Sequence, residues 1–211
     1  MTIRPLSVAV IIQNLVSKRS GPRSSASALL IALSGGMLLG SLFGNCTGES
    51  PPTGGITMTL QLTSPAFENE GDIPQKHTCD GADVSPALTW KAPPAEARGF
   101  CLIMDDPDAP GGTWVHWVVY NLPAEARDLP EGVPKEKELA NGTRQGRNDF
   151  ARPGYGGPCP PRGPAHRYYF KLYALDTKLE LPSGASKADL EKAMRNHILA
   201  QGQLMGRYKR N

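Results

Sequence analysis

An apolar run, Phe100 to Met104, ends on Asp105-Asp106-Pro107-Asp108-Ala109-Pro110, and Trp114-Val115-His116-Trp117 follows within a few residues. No other stretch constrains the fold as much. Two prolines stiffen the backbone where a strand ends, and three carboxylates and an imidazole crowd around them. That combination reads as a preformed polar pocket. A second cluster, Gly154-Tyr155-Gly156-Gly157-Pro158-Cys159-Pro160-Pro161, runs into His166-Arg167-Tyr168 and offers an opposite wall.

The 211 residues include 23 glycines and 20 prolines, and helical periodicity is scarce before residue 186. This favours one mostly-β, loop-rich domain with appendages. The formal charge of +3 is misleading. Residues 1–48 hold Arg4, Lys18, Arg19 and Arg23 and no acid. Taking those four from the 23 Lys+Arg leaves 19 against 20 Asp+Glu. The folded part therefore carries no basic excess of the kind a nucleic-acid face requires.

Residues 1–46 read as an export signal or lipoprotein leader. Lys18, Arg19 and Arg23 precede an uncharged stretch, Ala26 to Phe43, that suits the apolar core of a signal. Cys46 is a lipidation candidate, although Asn45 stands where a lipobox wants a small residue. Ordinary cleavage, and an uncleaved anchor or a misread start, are the alternatives, and all place the domain outside the cytoplasm, in the cell envelope or periplasm. Membrane association would then come only from this segment. Residues 47–55, with Pro51, Pro52, Gly54 and Gly55, are a linker, and 56–211 form the domain.

Within the domain, Met58-Leu60-Leu62 alternates as a half-buried strand does. Further strands are expected at Ala87–Lys91, Gly99–Asp105, Val115–Asn121 and Arg167–Leu175. In the last, Tyr168, Phe170, Leu172 and Ala174 share one face. The polar segment from Asn121 to Tyr155 is expected to wrap the surface. Its Asn141-Gly142-Thr143 matches a glycosylation sequon but reads better as a tight turn. Ser186 to Arg207 is predicted as a helix, with Ser186 and Asp189 as a capping box and Leu190, Met194, His197, Ile198 and Leu204 on one face.

Asp106, Asp108, His116 and His166 are the residues fit for chemistry. Two carboxylates and two imidazoles at strand ends could hold a metal, run acid–base catalysis or bind a small polar ligand. A two-His, one-carboxylate metal set is chemically possible, but no tight spacing such as H-x-x-x-H supports it. No activated-nucleophile motif such as G-x-S-x-G is present, which argues against an enzyme. Each residue alone is more often a turn cap or a satisfied core group. Together with the Gly/Pro cluster they favour a ligand pocket, because glycines admit backbone N–H groups to a ligand and prolines fix the loop.

These motifs, in this order, resemble the phosphatidylethanolamine-binding protein family, most of all its bacterial Raf-kinase-inhibitor-like branch. The resemblance rests on Asp-Pro-Asp-Ala-Pro, on His116-Trp117-Val118-Val119-Tyr120-Asn121, and on Gly-Pro-Cys-Pro-Pro leading to His166-Arg167-Tyr168. Cys79-Asp80-Gly81, Ser85-Pro86-Ala87-Leu88-Thr89-Trp90, Arg147-Asn148-Asp149-Phe150 and Tyr173-Ala174-Leu175-Asp176 support it. It covers about residues 58–208.

The resemblance implies an antiparallel β-sandwich, with the C-terminal helix, and a small anion pocket at one end. Its ligands would be phosphate-like groups, including phospholipid headgroups. It assigns Asp106, Asp108, His116, His166 and Tyr168 to the pocket, with Gly157, Pro158, Pro160 and Pro161 in the wall. The expected function is binding of a small anion, or an inhibitor or adaptor role through the same pocket, with no cofactor and no metal. A hydrolase using the His/Asp pocket is the alternative. Eukaryotic relatives inhibit kinases or proteases, but no motif here carries those partner surfaces. Cys101 lies in an apolar strand and should be a buried thiol. Cys79 and Cys159 sit in loops that the resemblance brings together at the pocket end, so they are candidates for a disulfide.

Overall fold

The computed structural model describes residues 58–210. The expected leader, residues 1–46 with Cys46, and the expected linker, 47–55, lie outside the described residues. Nine strands and one α-helix follow in order: β1 (Met58–Thr59), β2 (Gln61–Thr63), β3 (Leu88–Lys91), β4 (Gly99–Asp106), β5 (Trp114–Pro123), β6 (Asp128–Leu129), β7 (Arg144–Gln145), β8 (His166–Leu175), α1 (Lys187–Ala193) and β9 (Ile198–Tyr208), with a short 3-10 turn at Gln75–His77 between β2 and β3. The larger sheet runs β1-β9-β8-β4-β5-β7 and the smaller β2-β3-β6. Neighbours are antiparallel except β1 with β9.

The alternating segment at Met58–Leu62 forms two short strands. Met58 and Thr59 pair with β9, then Gln61 to Thr63 pair with β3. The chain changes sheet at Leu60, whose N–H still donates to the Gln201 carbonyl at 2.8 Å. Gly202 makes this crossing possible, because a Cβ there would lie 2.4 Å from the Leu60 oxygen.

Every residue of β4 is buried, since the larger sheet is covered on both faces. Phe100, Leu102 and Met104 face the smaller sheet and pack with Leu62, Leu88, Trp90 and Leu129. Cys101 and Ile103 face the other way, toward Leu190 and Met194 around α1. Burial of each such side chain contributes about 1.5–3 kcal/mol. Cys101 is the free cysteine among the described residues, and burial pushes its thiol up to about 12.

The C-terminal region differs from the sequence expectation. The capping box at Ser186 forms: its Oγ accepts the Asp189 N–H and the Asp189 carboxylate accepts the Ser186 N–H. The helix nevertheless stops at Ala193, and Asn196 takes a left-handed φ of 69°. The predicted second half, residues 198–207, is the strand β9, paired along its length with β8. Ala200, Gly202 and Leu204 turn inward while Gln201 and Gln203 face out, a period of two. The unpaired edge of β8 is a stronger demand than the weak helical periodicity.

Candidate functional site

Asp106 is the last residue of β4, on the face that carries Phe100, Leu102 and Met104, so it ends the core layer at the rim of the sandwich. Asp105, its neighbour, projects to the opposite face. There it is buried and held by Lys171 Nζ at 2.8 Å and Lys187 Nζ at 2.6 Å. Strand alternation thus removes Asp105 from the carboxylate cluster that the sequence suggested.

His116 reaches the same rim through a β-bulge. Met104 pairs with Trp117 and Asp105 with Val115, so His116 is an extra residue without a partner on β4. A bulge of this kind bends the strand and re-aims one side chain. The His116 ring is buried and packs edge-on against Phe150 (5.4 Å) and Tyr168 (5.2 Å). Its Nδ1 lies 2.7 Å from the Gly156 carbonyl oxygen. A carbonyl only accepts, so Nδ1 carries the proton and Nε2 is the free nitrogen. Burial pulls the His116 pKa below its ordinary value, against the Gly156 bond and the charge of Asp106.

His166 opens β8, and its Nδ1 meets Asp106 Oδ2 at 2.8 Å. The other Asp106 oxygen accepts the Asp108 N–H at 2.8 Å, closing the turn over Pro107. Asp108 is used differently from the expectation. Its carboxylate takes Arg167 Nε at 2.9 Å, Nη2 at 2.7 Å and the Arg167 N–H at 2.9 Å. The Arg167 bonds, against some desolvation, hold the Asp108 carboxyl at about 2. Asp108 is a clamp that ties the Asp-Pro-Asp turn to β8.

Asp106, His116 and His166 line one cavity of about 210 Å³, together with Ala109, Pro110, Trp114, Phe150, Cys159, Pro160 and Pro161. Of the remaining expected residues, Gly157, Pro158 and Tyr168 lie behind this surface. The Gly157 N–H donates to Asp83 Oδ1, and the Pro158 carbonyl accepts the Cys79 N–H. The Tyr168 hydroxyl is buried with no hydrogen-bond partner among the described residues. Burial, then the charge of Asp106, push its pKa well up.

Phe150 and Trp114 are the aromatic lining residues that a reading for charged groups missed; Ala109, Pro110 and Cys159 were also outside the expected ligand set. Trp114, 38% exposed, stands edge-on to Phe150 at the mouth. Their signal lay in motifs already marked, Trp114-Val115-His116 and Asp149-Phe150. The structure joins Cys79 to Cys159 with Cα atoms 5.4 Å apart, so the proline wall is cross-linked to the 77–83 loop. Tyr155 adds a hydroxyl bond to the His77 carbonyl at 2.7 Å. A larger cavity of about 900 Å³ opens beside Leu122, Leu129, Val133 and Leu139. It contains no imidazole, so chemistry and not size locates the site. Among the described residues no three His, Cys, Asp or Glu side chains gather as a metal set.

Chemically, the cavity offers two imidazole Nε2 atoms that make no hydrogen bond among the described residues, one carboxylate hydrogen-bonded to an imidazole, and walls of aromatic rings and prolines. Its volume is below the roughly 300–1,000 Å³ of drug-sized sites, so it suits a ligand of few atoms.

A family model described as phosphatidylethanolamine-binding protein matches residues 63–209. The UPF0098 protein of Aquifex aeolicus is 50% identical over 176 residues, 82% of this chain and 100% of that protein. The UPF0098 protein of Methanothermobacter thermautotrophicus is 49% identical over 151 residues, 72% of this chain and 99% of that protein. Two crystal structures are similar. A phosphatidylethanolamine-binding protein homologue from Chlamydia trachomatis has a TM-score of 0.67 at 41% identity, covering 74% of this chain and 100% of its own. YbcL of Escherichia coli, described as a member of the mammalian family, has a TM-score of 0.68 at 34% identity, covering 72% and 99%. With the family model, these relatives and the fold of the two solved structures in agreement, the chain belongs to the phosphatidylethanolamine-binding protein family.

Proposed function

We propose that the protein binds a small phosphate-type anion non-covalently in the cavity of Asp106, His116 and His166, and returns it unchanged. One observation carries the reading: both imidazoles are fixed through Nδ1, by Gly156 and by Asp106, which leaves both Nε2 atoms free at a cavity of ligand size. Protonated, each Nε2–H is a donor suited to an anionic oxygen. Asp106 opposes an anion directly, while its hydrogen bond fixes the orientation of the His166 ring. The lining supplies no hydroxyl nucleophile, and its cysteine is bridged, which favours a binder over a hydrolase. The Cys79–Cys159 bridge also supports an oxidising compartment and hence export. Anchoring through Cys46 remains part of the same proposal.

Calorimetric titration with inorganic phosphate and phosphorylethanolamine at pH 5.5 and 8 tests this. Binding that strengthens at pH 5.5 and disappears in His116→Ala supports it. Absence of heat for both ligands at both pH values overturns it.

A further inference from the structure

We propose that Asp83 is a positioning residue for His116, acting through the single amide that joins Gly156 to Gly157. Its effect on affinity rests on the binding reading above, whereas its effect on the imidazole does not. Two bonds meet on this one peptide unit. The Gly156 carbonyl accepts Nδ1–H of His116 at 2.7 Å, and the Gly157 N–H of the same amide donates to Asp83 Oδ1 at 2.6 Å. A carboxylate bound at the N–H polarises the amide and strengthens its carbonyl as an acceptor, since hydrogen bonds in a chain reinforce one another. The negative charge of Asp83 is thereby felt at the far side of the imidazole. Nδ1 keeps its proton, and Nε2 is presented to the cavity.

The surroundings are built for this arrangement. Asp83 adopts a left-handed φ of 53°, unusual for a residue other than glycine. Lys135 and Arg152 both take its second oxygen, at 2.6 Å and 3.0 Å, leaving Oδ1 to the amide. Burial pulls the Asp83 carboxyl up, but Lys135 and the Gly157 N–H hold it below its ordinary value, so it is ionised at neutral pH. No side chain fits between. A Cβ on Gly157 would lie 2.5 Å from the His77 oxygen and 2.8 Å from Asp83 Oδ1, and one on Gly156 would lie 2.5 Å from the Phe150 ring. The paired glycines thus serve close approach of this amide, not contact with ligand.

Other charges also face His116. Asp106 on β4 and Asp149 from the loop before Phe150 favour its protonation, burial opposes it, and Tyr168 packs on it from β8. His166 shares the cavity. An experiment must therefore separate the relay from the general field.

Nuclear magnetic resonance of the His116 ring in the ligand-free, disulfide-bonded protein does so, with phosphate titration alongside. Asp83→Asn keeps an oxygen for the Gly157 N–H but removes the charge. The Nδ1–H resonance should move upfield, and the titration midpoint should fall by roughly half a unit, with phosphate binding at pH 6 about threefold weaker. Lys135→Gln leaves the Asp83 charge less neutralised, so both ring readouts should move the opposite way. A merely structural role would move both variants alike, because each loosens the same pair of loops. An unmoved Nδ1–H in Asp83→Asn, or a shift of the same sign in Lys135→Gln, overturns the proposal. If Asp83→Asn does not fold, Lys135→Gln decides: a downfield shift supports the relay, and any other result overturns it. Failure of phosphate to bind the unaltered protein at any pH would overturn the binding reading instead, and the ring readouts would still decide the relay.

Discussion

Removing the Cys79–Cys159 bridge is the perturbation whose magnitude follows most directly from the structure. The two cysteines are 80 residues apart. Releasing a loop of that length returns entropy to the unfolded chain worth about 4.5 kcal/mol at 25 °C on the loop-closure model. Hydrogen bonds join the same two loops beside the bridge. Tyr155 bonds the His77 carbonyl, the Cys79 N–H bonds the Pro158 carbonyl, and Gly157 bonds Asp83. The loss should therefore appear as lower stability and not as a lost fold. Urea denaturation of Cys79→Ala/Cys159→Ala should lower the midpoint by roughly 2 M at a slope of about 2 kcal/mol/M. Because Cys159 lines the cavity, phosphate binding should weaken as well. A stability loss below about 1 kcal/mol, with the folded state intact, would refute the reasoning.

Phosphate affinity should rise as pH falls. Burial holds the His116 pKa below the ordinary ~6.5, so its charged form gains population only on the acid side, and calorimetry at pH 5.5 and 8 should differ in that sense. Gly202→Ala should destabilise by about 1–3 kcal/mol or more in thermal melts, because its Cβ would meet the Leu60 backbone oxygen, which cannot swing aside. Leu190→Ala should cost about 2–5 kcal/mol in the same assay, since Leu190 is the buried anchor of α1. The Asp108–Arg167 clamp should contribute only weakly to stability, because solvent screens the exposed Arg167 guanidinium. Asp108 has a depressed pKa, so that contribution is present above pH ~4 and lost as pH falls toward 2; Arg167→Gln should match the unaltered protein's stability only at that acid limit.

The individual strands and their ends were legible because their signals are local, whereas the sandwich came from the family resemblance. Phe100–Met104 reads as a strand buried on both faces, and Tyr168, Phe170, Leu172 and Ala174 alternate in β8 as their sequence does. Asp106, His116 and His166 sit at strand ends beside prolines, and the structure brings them to one cavity. Sequence alone did not reveal partner choice. Ile198, Gln201 and Leu204 fit a helical face as well as a strand, and only the need of β8 for a neighbour decides between them. Gly202 and Gly206 were the local warning, since glycine weakens a helix interior by about 1 kcal/mol each. Asp108 looked like a ligand residue because its partner, Arg167, lies 59 residues on. Gly157 and Tyr168 belong to the pocket's support, a distinction set by packing depth that residue type does not encode.

The central claim is that this pocket holds a phosphate-type anion and does no chemistry on it. Phosphorus-31 resonance of phosphorylethanolamine, followed for hours with the disulfide-bonded protein at pH 6, tests both halves at once. The line should shift and broaden with protein, lose that response in His116→Ala, and keep its full intensity with no new resonance. A line that protein leaves unmoved, or a growing signal of inorganic phosphate, would contradict the claim.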